Sequence, residues 1–266
     1  MRQSSPLLLK QTHRLRRAIR SAQYNGPTSG LVTGAMQGKV VILPADWADE
    51  FLLYCQKNPT SCPLIGISEV GDFRLPKLGS DIDLRYDIPE YYIYQHGKKV
   101  NSCTDIATHW QDNFVTFVLG CSFSFENALS QAGLTPRNVE EQVDVPMYET
   151  NIATVPVGRF FGNTIVTMRP YSPKDAIHAI QITSRFPKAH GAPLHFGSPS
   201  DIGIDNLALP DFGNTVSIKE GEVPIFWASG ITPQIAVQNA SPPIYITNAP
   251  GKMLVTDLLD MDLTII

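Results

Sequence analysis

Charge is scarce in this chain. Asp, Glu, Lys and Arg make up 17% of its 266 residues, and the net charge is −4. There is no basic surplus to neutralise phosphates, which argues against nucleic acid as the main partner. Cysteine is scarce too, with four residues, at 55, 62, 103 and 121, and no C-x-x-C. That excludes a disulfide-framed scaffold and makes a reduced, cytosolic chain with free thiols the simplest reading. The six histidines show no H-x-x-x-H spacing, and the glycine-rich stretch 25–38 lacks G-K-[ST]. Neither a local zinc site nor a phosphate-cradling P-loop is therefore encoded, and no metal or cofactor is expected. No apolar run approaches the ~20 residues that a membrane span needs, so no membrane partner is expected.

What is present is an ordinary globular composition, 43% hydrophobic, punctuated by 21 prolines that predict many loops and extended segments. Residues 1–26 are basic and acid-free, and are read as an amphipathic helix rather than a presequence. Lys39–Leu43 reads as a strand. Ala45–Asn58 reads as a helix, with Trp47, Phe51 and Tyr54 spaced along one face. Pro63–Val70 and Pro89–Gln95 read as extended, Lys98–Lys99 as a turn, and Thr104–Asn113 as a helix capped by Thr104. After Gly133 the texture changes to short mixed strands, Val143–Tyr148 and Arg159–Arg169, and one helix opened by Ser172-Pro173. The third region returns to apolar strands at Glu222–Ser229 and Pro243–Thr247, with a helix after Thr232. The fold class expected is α/β: a mixed sheet with flanking helices plus a smaller inserted α+β domain. The division places 1–133 and 197–266 in a discontinuous main domain and 134–196 in the insert.

The stretch Val115–Gly133 organises the reading. Val115–Leu119 is an uncharged β run, Gly120 breaks it, and Glu126–Ala132 is helix-tolerant up to Gly133. Ligands bind where strands hand over to helix N-termini, and here that place carries Cys121, Ser122, Ser124 and Glu126. An acid in a first helical turn also favours the helix with no ligand at all. Two other strand ends share this pattern, Ala228–Gln234 and Thr247–Lys252. If the three strands are neighbours, their turns converge on one pocket and add Ser229, Thr232, Gln234, Asn248 and Lys252. Small polar residues at strand ends also serve close packing, and that alternative stands.

These residues resemble the D-glutamate cyclase family. The resemblance rests on Gly120-Cys-Ser-Phe-Ser-Phe-Glu126, Val145-Pro-Met-Tyr148 with Thr150-Asn151, Met168-Arg-Pro170, and His190-Gly-Ala-Pro193. It continues through Trp227-Ala-x-Gly-x-Thr-Pro-Gln234, Ala249-Pro-Gly251 and Leu254-Val-Thr-Asp257, and covers nearly the whole chain. It implies a two-part α/β fold and the reversible closure of D-glutamate to 5-oxo-D-proline with loss of water. Family members commonly carry cysteine where this chain has Ser229 and histidine where it has Asn248 and Lys252. Cys121, Glu126, Asn151, Arg169, His190 and Gln234 remain.

Lactam closure needs a base, an acid and an anion hole. Glu126 is the candidate acid/base, dried by Phe123 and Phe125. Arg169 is the candidate carboxylate anchor, against a structural salt bridge. His190 is a second proton carrier or a loop histidine, and Cys121 a base or nucleophile. Lys252 binds an anion or is simply solvated. The expected partner is a small carboxylate or amino acid, and a homo-oligomer is left open. Two other functions stay open beside the lyase: a Cys121-dependent racemase or amide hydrolase, and a non-catalytic carboxylate-binding protein.

Overall fold

In the computed structural model, which describes residues 6–28 and 30–264, the longest strand is β1 (Ala35–Pro44), and almost every side chain on it is buried. A strand buried on both faces needs a neighbour on each edge and cover on each face. Along one edge runs β5 (Phe114–Gly120), antiparallel from Gly38 opposite Gly120 to Pro44 opposite Phe114. Two strands share the other edge end to end. The first, β10 (Tyr245–Asn248), lies beside Val41 and Ile42, and the second, β11 (Leu254–Leu259), beside Ala35 to Gly38. Outward from these lie β2 (Leu64–Ile67), paired with β5, and β3 (Tyr91–Gln95) with β4 (Lys98–Cys103), completing seven strands. A second sheet holds four strands in the order β6 (Met147–Ala153), β7 (Asn163–Tyr171), β9 (Val223–Ala228) and β8 (His195–Phe196). The α/β class stands, and every pairing in both sheets is antiparallel.

Six α-helices accompany the sheets among the described residues: α1 (Pro6–Arg20), α2 (Ala45–Lys57), α3 (Phe123–Gln131), α4 (Arg137–Glu140), α5 (Pro173–Thr183) and α6 (Thr232–Ala240). Ser172 caps α5 by accepting from the Asp175 N–H at 3.2 Å, with Pro173 at the first helical position. The basic helix α1 is fixed by charge. Arg16 is wholly buried and donates to Asp81, Asp257 and the Val255 carbonyl, while Arg20 grips Asp87. No helix among the described residues is long and apolar enough to cross a membrane.

Several expectations need correction. β9 is expected in the main sheet, but it pairs with β7 from Val166 opposite Ala228 to Tyr171 opposite Val223. Its Trp227 explains why: the ring is fully buried and its indole N–H donates to Thr183 Oγ1 on α5 at 3.0 Å, a partner found only there. The segment 134–196 thus supplies β6, β7, β8 and α5, and a strand from beyond it completes the sheet. One core joins both sheets, with Val40, Ile42, Val118 and Phe125 packed in the same cluster as Tyr171, Ile225 and Trp227. The helix expected at Thr104–Asn113 is only a 3₁₀ turn at Ala107–His109. Trp110 is committed elsewhere, its indole N–H donating to the Gly71 carbonyl at 3.2 Å and its ring meeting Phe114 edge-on. The turn expected at Lys98–Lys99 falls at His96-Gly97, both with left-handed backbone, and Lys98 already begins β4.

One glycine decides how the two sheets meet. After α5 the chain turns through Pro187–Ala189 and presses onto the end of β5. A Cβ on Gly120 would fall 1.7 Å from the Lys188 carbonyl oxygen. Gly120→Ala should therefore destabilise the protein by at least about 1–3 kcal/mol, the range for overpacking a rigid contact. Urea unfolding measures it, and an unchanged midpoint would show that this contact yields freely.

Candidate functional site

The turns after β5, β9 and β10 do converge, although from two sheets rather than one. They line a cavity of about 940 Å³ that holds Cys121, Ser122, Ser124, Glu126, His190, Ser229, Gln234 and Asn248. Four expected site residues lie elsewhere. Asn151 is exposed on the outer side of β6, because alternation turns Thr150 inward and Asn151 out. Thr232 is buried and closes the end of β7, accepting from the Ile165 N–H at 3.0 Å. Lys252 turns to Glu90, 2.7 Å away. Arg169 lies behind the wall.

Arg169 and Glu126 form a buried ion pair. The guanidinium also reaches Ser122 Oγ at 3.4 Å and Thr167 Oγ1 at 2.9 Å, and stands 5.4 Å from the ring centres of Phe125 and Trp227. Its Nε has no hydrogen-bond partner. The expected free acid/base and free anchor are thus each other's partner. A change at Glu126 strands a buried guanidinium, so Glu126→Gln tests the pair before it tests proton transfer.

Helices α3 and α6 both begin at this cavity, and their first turns carry the positive ends of two helix dipoles. The backbone N–H groups of Cys121, Ser122 and Gly230, all in lining residues, have no hydrogen-bond partner among the described residues. Lys39 of β1 adds a cation. It lines the cavity, and a Cβ on Gly230 would come within 2.8 Å of its Cδ, so the glycine leaves room for the lysine stem. Burial pulls the Lys39 ammonium down from its ordinary range, opposed by the neighbouring Cys121 sulfur. Among the described residues no carboxylate pairs with it.

His190 follows the turn that presses on Gly120, with a left-handed backbone at φ 75°. Its Nδ1 lies 2.9 Å from the Thr60 carbonyl. A carbonyl only accepts, so Nδ1 carries the proton and, in the neutral ring, Nε2 is bare. Burial, with Lys39 and Arg169 nearby, lowers His190 to about 4. Asp260, in the 3₁₀ turn after β11, also borders the cavity; burial pushes its carboxyl up to about 7 against the Ser124 hydroxyl.

Lys39 and Asp260 escaped the sequence reading. Lys39 had one available signal, a lysine inside the otherwise uncharged run of β1. Nothing local separates Asp260 from Asp257 or Asp262. Of the remaining lining residues, Ser229 accepts from the Ile231 N–H at 3.3 Å, and Asn248 Oδ1 accepts from the Val40 N–H at 2.8 Å. Away from the cavity, His13, Asp81 and Asp257 come within 4.8 Å of one another. Arg16 donates to both carboxylates there and fills the place of a cation.

His190 and Asp260 give stability opposite dependences on pH. Between pH 6.5 and 4 the unfolded chain takes up a histidine proton that the folded chain refuses. Stability therefore falls as pH falls, by about 3 kcal/mol in all. Asp260 keeps a proton in the folded chain that the unfolded chain releases. Stability therefore falls as pH rises from about 3.8 to about 7, by about 4 kcal/mol. Over their shared range the two slopes oppose each other. In urea unfolding at pH 4.5 and 6.5, Asp260→Asn should be less stable at the lower pH and His190→Gln at the higher. Slopes of one sign in both variants would refute the assignment.

Comparison with known proteins follows the same lines. The D-glutamate cyclase family model matches residues 115–257. A protein of Aliivibrio salmonicida named "Putative hydro-lyase" is 54% identical, over 95% of this chain and 97% of its own. Relatives of the same name from Shewanella woodyi and Paraburkholderia phytofirmans are 54% and 49% identical. They cover 96% and 94% of this chain, and 95% and 97% of their own. The span of the family match contains Cys121, Glu126, Arg169, His190, Ser229 and Asn248, and leaves Lys39 and Asp260 outside.

Proposed function

The chain belongs to the D-glutamate cyclase family, and from that premise we propose that it is a hydro-lyase that closes D-glutamate to 5-oxo-D-proline with loss of water. The observation that carries the reading is the character of the cavity. Two helix N-termini, three N–H groups unpaired among the described residues and the unpaired Lys39 border one cavity, which suits a small carboxylate.

In lactam closure the ammonium nitrogen loses two protons and one carboxylate oxygen gains two, leaving as water. The carboxylate is a poor electrophile until its charge is neutralised. The N–H groups of Cys121, Ser122 and Gly230 and the Lys39 ammonium do this, and they stabilise the tetrahedral oxyanion. A lysine whose ammonium is pulled down is a stronger acid than usual, and Lys39 gives its proton to the departing oxygen. His190, neutral with Nε2 bare, accepts a proton from the nitrogen as the new bond forms. Glu126 acts at one remove: its pair with Arg169 fixes the first turn of α3, and with it the N–H groups of the anion hole.

Lys39→Met should keep the fold, since a half-buried unpaired cation is replaced by an apolar stem of similar length. It should cut turnover of D-glutamate or 5-oxo-D-proline, followed by NMR, by about 10² or more. Turnover within twofold of the unaltered protein would remove Lys39 from the chemistry. If the unaltered protein binds D-glutamate but turns over neither compound in either direction, the non-catalytic carboxylate-binding function replaces this one.

A further inference from the structure

Asp260 is the buried charged group of the cavity that the reaction above leaves unused. The residue is 9% exposed, and its backbone N–H is pinned to the Gly34 carbonyl at 2.9 Å, so the turn that carries it is tied to the start of β1. Its Oδ1 has no hydrogen-bond partner. Among the charged side chains on the surrounding elements (Lys39, Glu126, Lys188, His190 and Asp257), none forms an ion pair with it. A buried acceptor left unmade costs free energy, and such a site in a ligand cavity invites a donor from the ligand. The cationic and N–H groups of the cavity are already accounted for: Lys39 and the N–H groups suit an anion, and Arg169 is spent on Glu126. A ligand bearing an amine beside its carboxylates needs one acidic receiver, and two lining carboxyls hold no cation among the described residues: Asp144, which is exposed, and Asp260, which is buried with a free acceptor.

We infer that Asp260 receives the substrate's ammonium group, holding it through Oδ1 and taking its first proton so that the free amine can attack. This rests on the carboxylate reading of the cavity and makes Asp260 the residue that separates amino dicarboxylates from plain dicarboxylates. The protons then balance. One passes from nitrogen to Asp260 before attack and one to His190 during it; the departing oxygen takes one from Lys39 and one back from Asp260, and the proton held by His190 returns to Lys39, so every group ends as it began. Ser124, whose hydroxyl favours the ionised carboxyl, positions Asp260 for the exchange.

Glutarate is glutamate without the amine, so the pair isolates the interaction. Isothermal titration of the full chain at pH 7 should show D-glutamate binding at least tenfold more tightly than glutarate. The carboxyl sits near half-protonation there, so an ammonium that demands the ionised form should expel up to about half a proton per ligand. That release is measured by repeating the titration in buffers of different ionisation enthalpy, and it requires no variant; glutarate should expel none. Asp260→Asn should abolish both the preference and the proton release while changing glutarate affinity by less than twofold. Equal affinity for the two ligands in the unaltered protein, or a preference that survives in Asp260→Asn, would overturn the role of Asp260 and leave the anion site standing. Failure to bind either ligand would instead defeat the carboxylate reading, and this inference with it.

Discussion

The contact between Arg169 and Glu126 is the constraint on which the site depends. Arg169 stands on β7 of the smaller sheet and Glu126 in the first turn of α3, which leaves β5 of the larger one. The guanidinium is fully buried, and an unpaired guanidinium in that position would cost several kcal/mol. The pair therefore ties the smaller sheet to the helix that leaves the larger one. It also orients α3, so the unpaired N–H groups of Cys121 and Ser122 border the cavity rather than the core. Phe125 and Trp227 flank the pair and remove water from it, which strengthens it.

A second constraint opens the cavity itself. β10 and β11 lie end to end on one edge of β1, and the loop between them leaves Val40, paired with Val118 on the other edge, without a ladder partner on this one. The Asn248 side chain supplies the missing acceptor at 2.8 Å and donates in turn to the Ala249 carbonyl at 2.9 Å. The strand thus stays hydrogen-bonded through a gap in its neighbour, and the gap becomes cavity wall. Lys39 immediately precedes Val40, so the residue that presents the cation sits where the ladder is interrupted.

The local elements were legible because each has a short-range cause. Pro173 and Ser172 announce α5, the apolar spacing of Trp47, Phe51 and Tyr54 announces α2, and the convergence of three turns followed from a repeated strand–small–turn pattern. What failed depends on contacts far away in sequence. β9 reads like a main-sheet strand until Trp227 finds Thr183. Glu126 reads like a free acid until Arg169, remote in the chain, is placed against it. Asp260 owes its character to burial beside Ser124, which no window around residue 260 reveals.

The three positions at which the resemblance leads one to expect cysteine or histidine bear on the same point. At Lys252 the side chain pairs with Glu90 and does not line the cavity, so the residue there contributes no group to its wall. At Asn248 the side chain closes the ladder gap, and an amide, which does not titrate in the ordinary range, closes it at every pH where an imidazole would not. At Ser229 the hydroxyl accepts from the Ile231 N–H and reaches Met147 Sδ at 3.4 Å, a backbone-holding role at the start of α6. The three replacements thus fall on groups that shape the cavity or lie outside it. The cavity groups with displaced proton affinities, Lys39, His190 and Asp260, lie at other positions. The side chains at these three positions therefore leave Lys39, His190 and Asp260 free for the proton transfers proposed above.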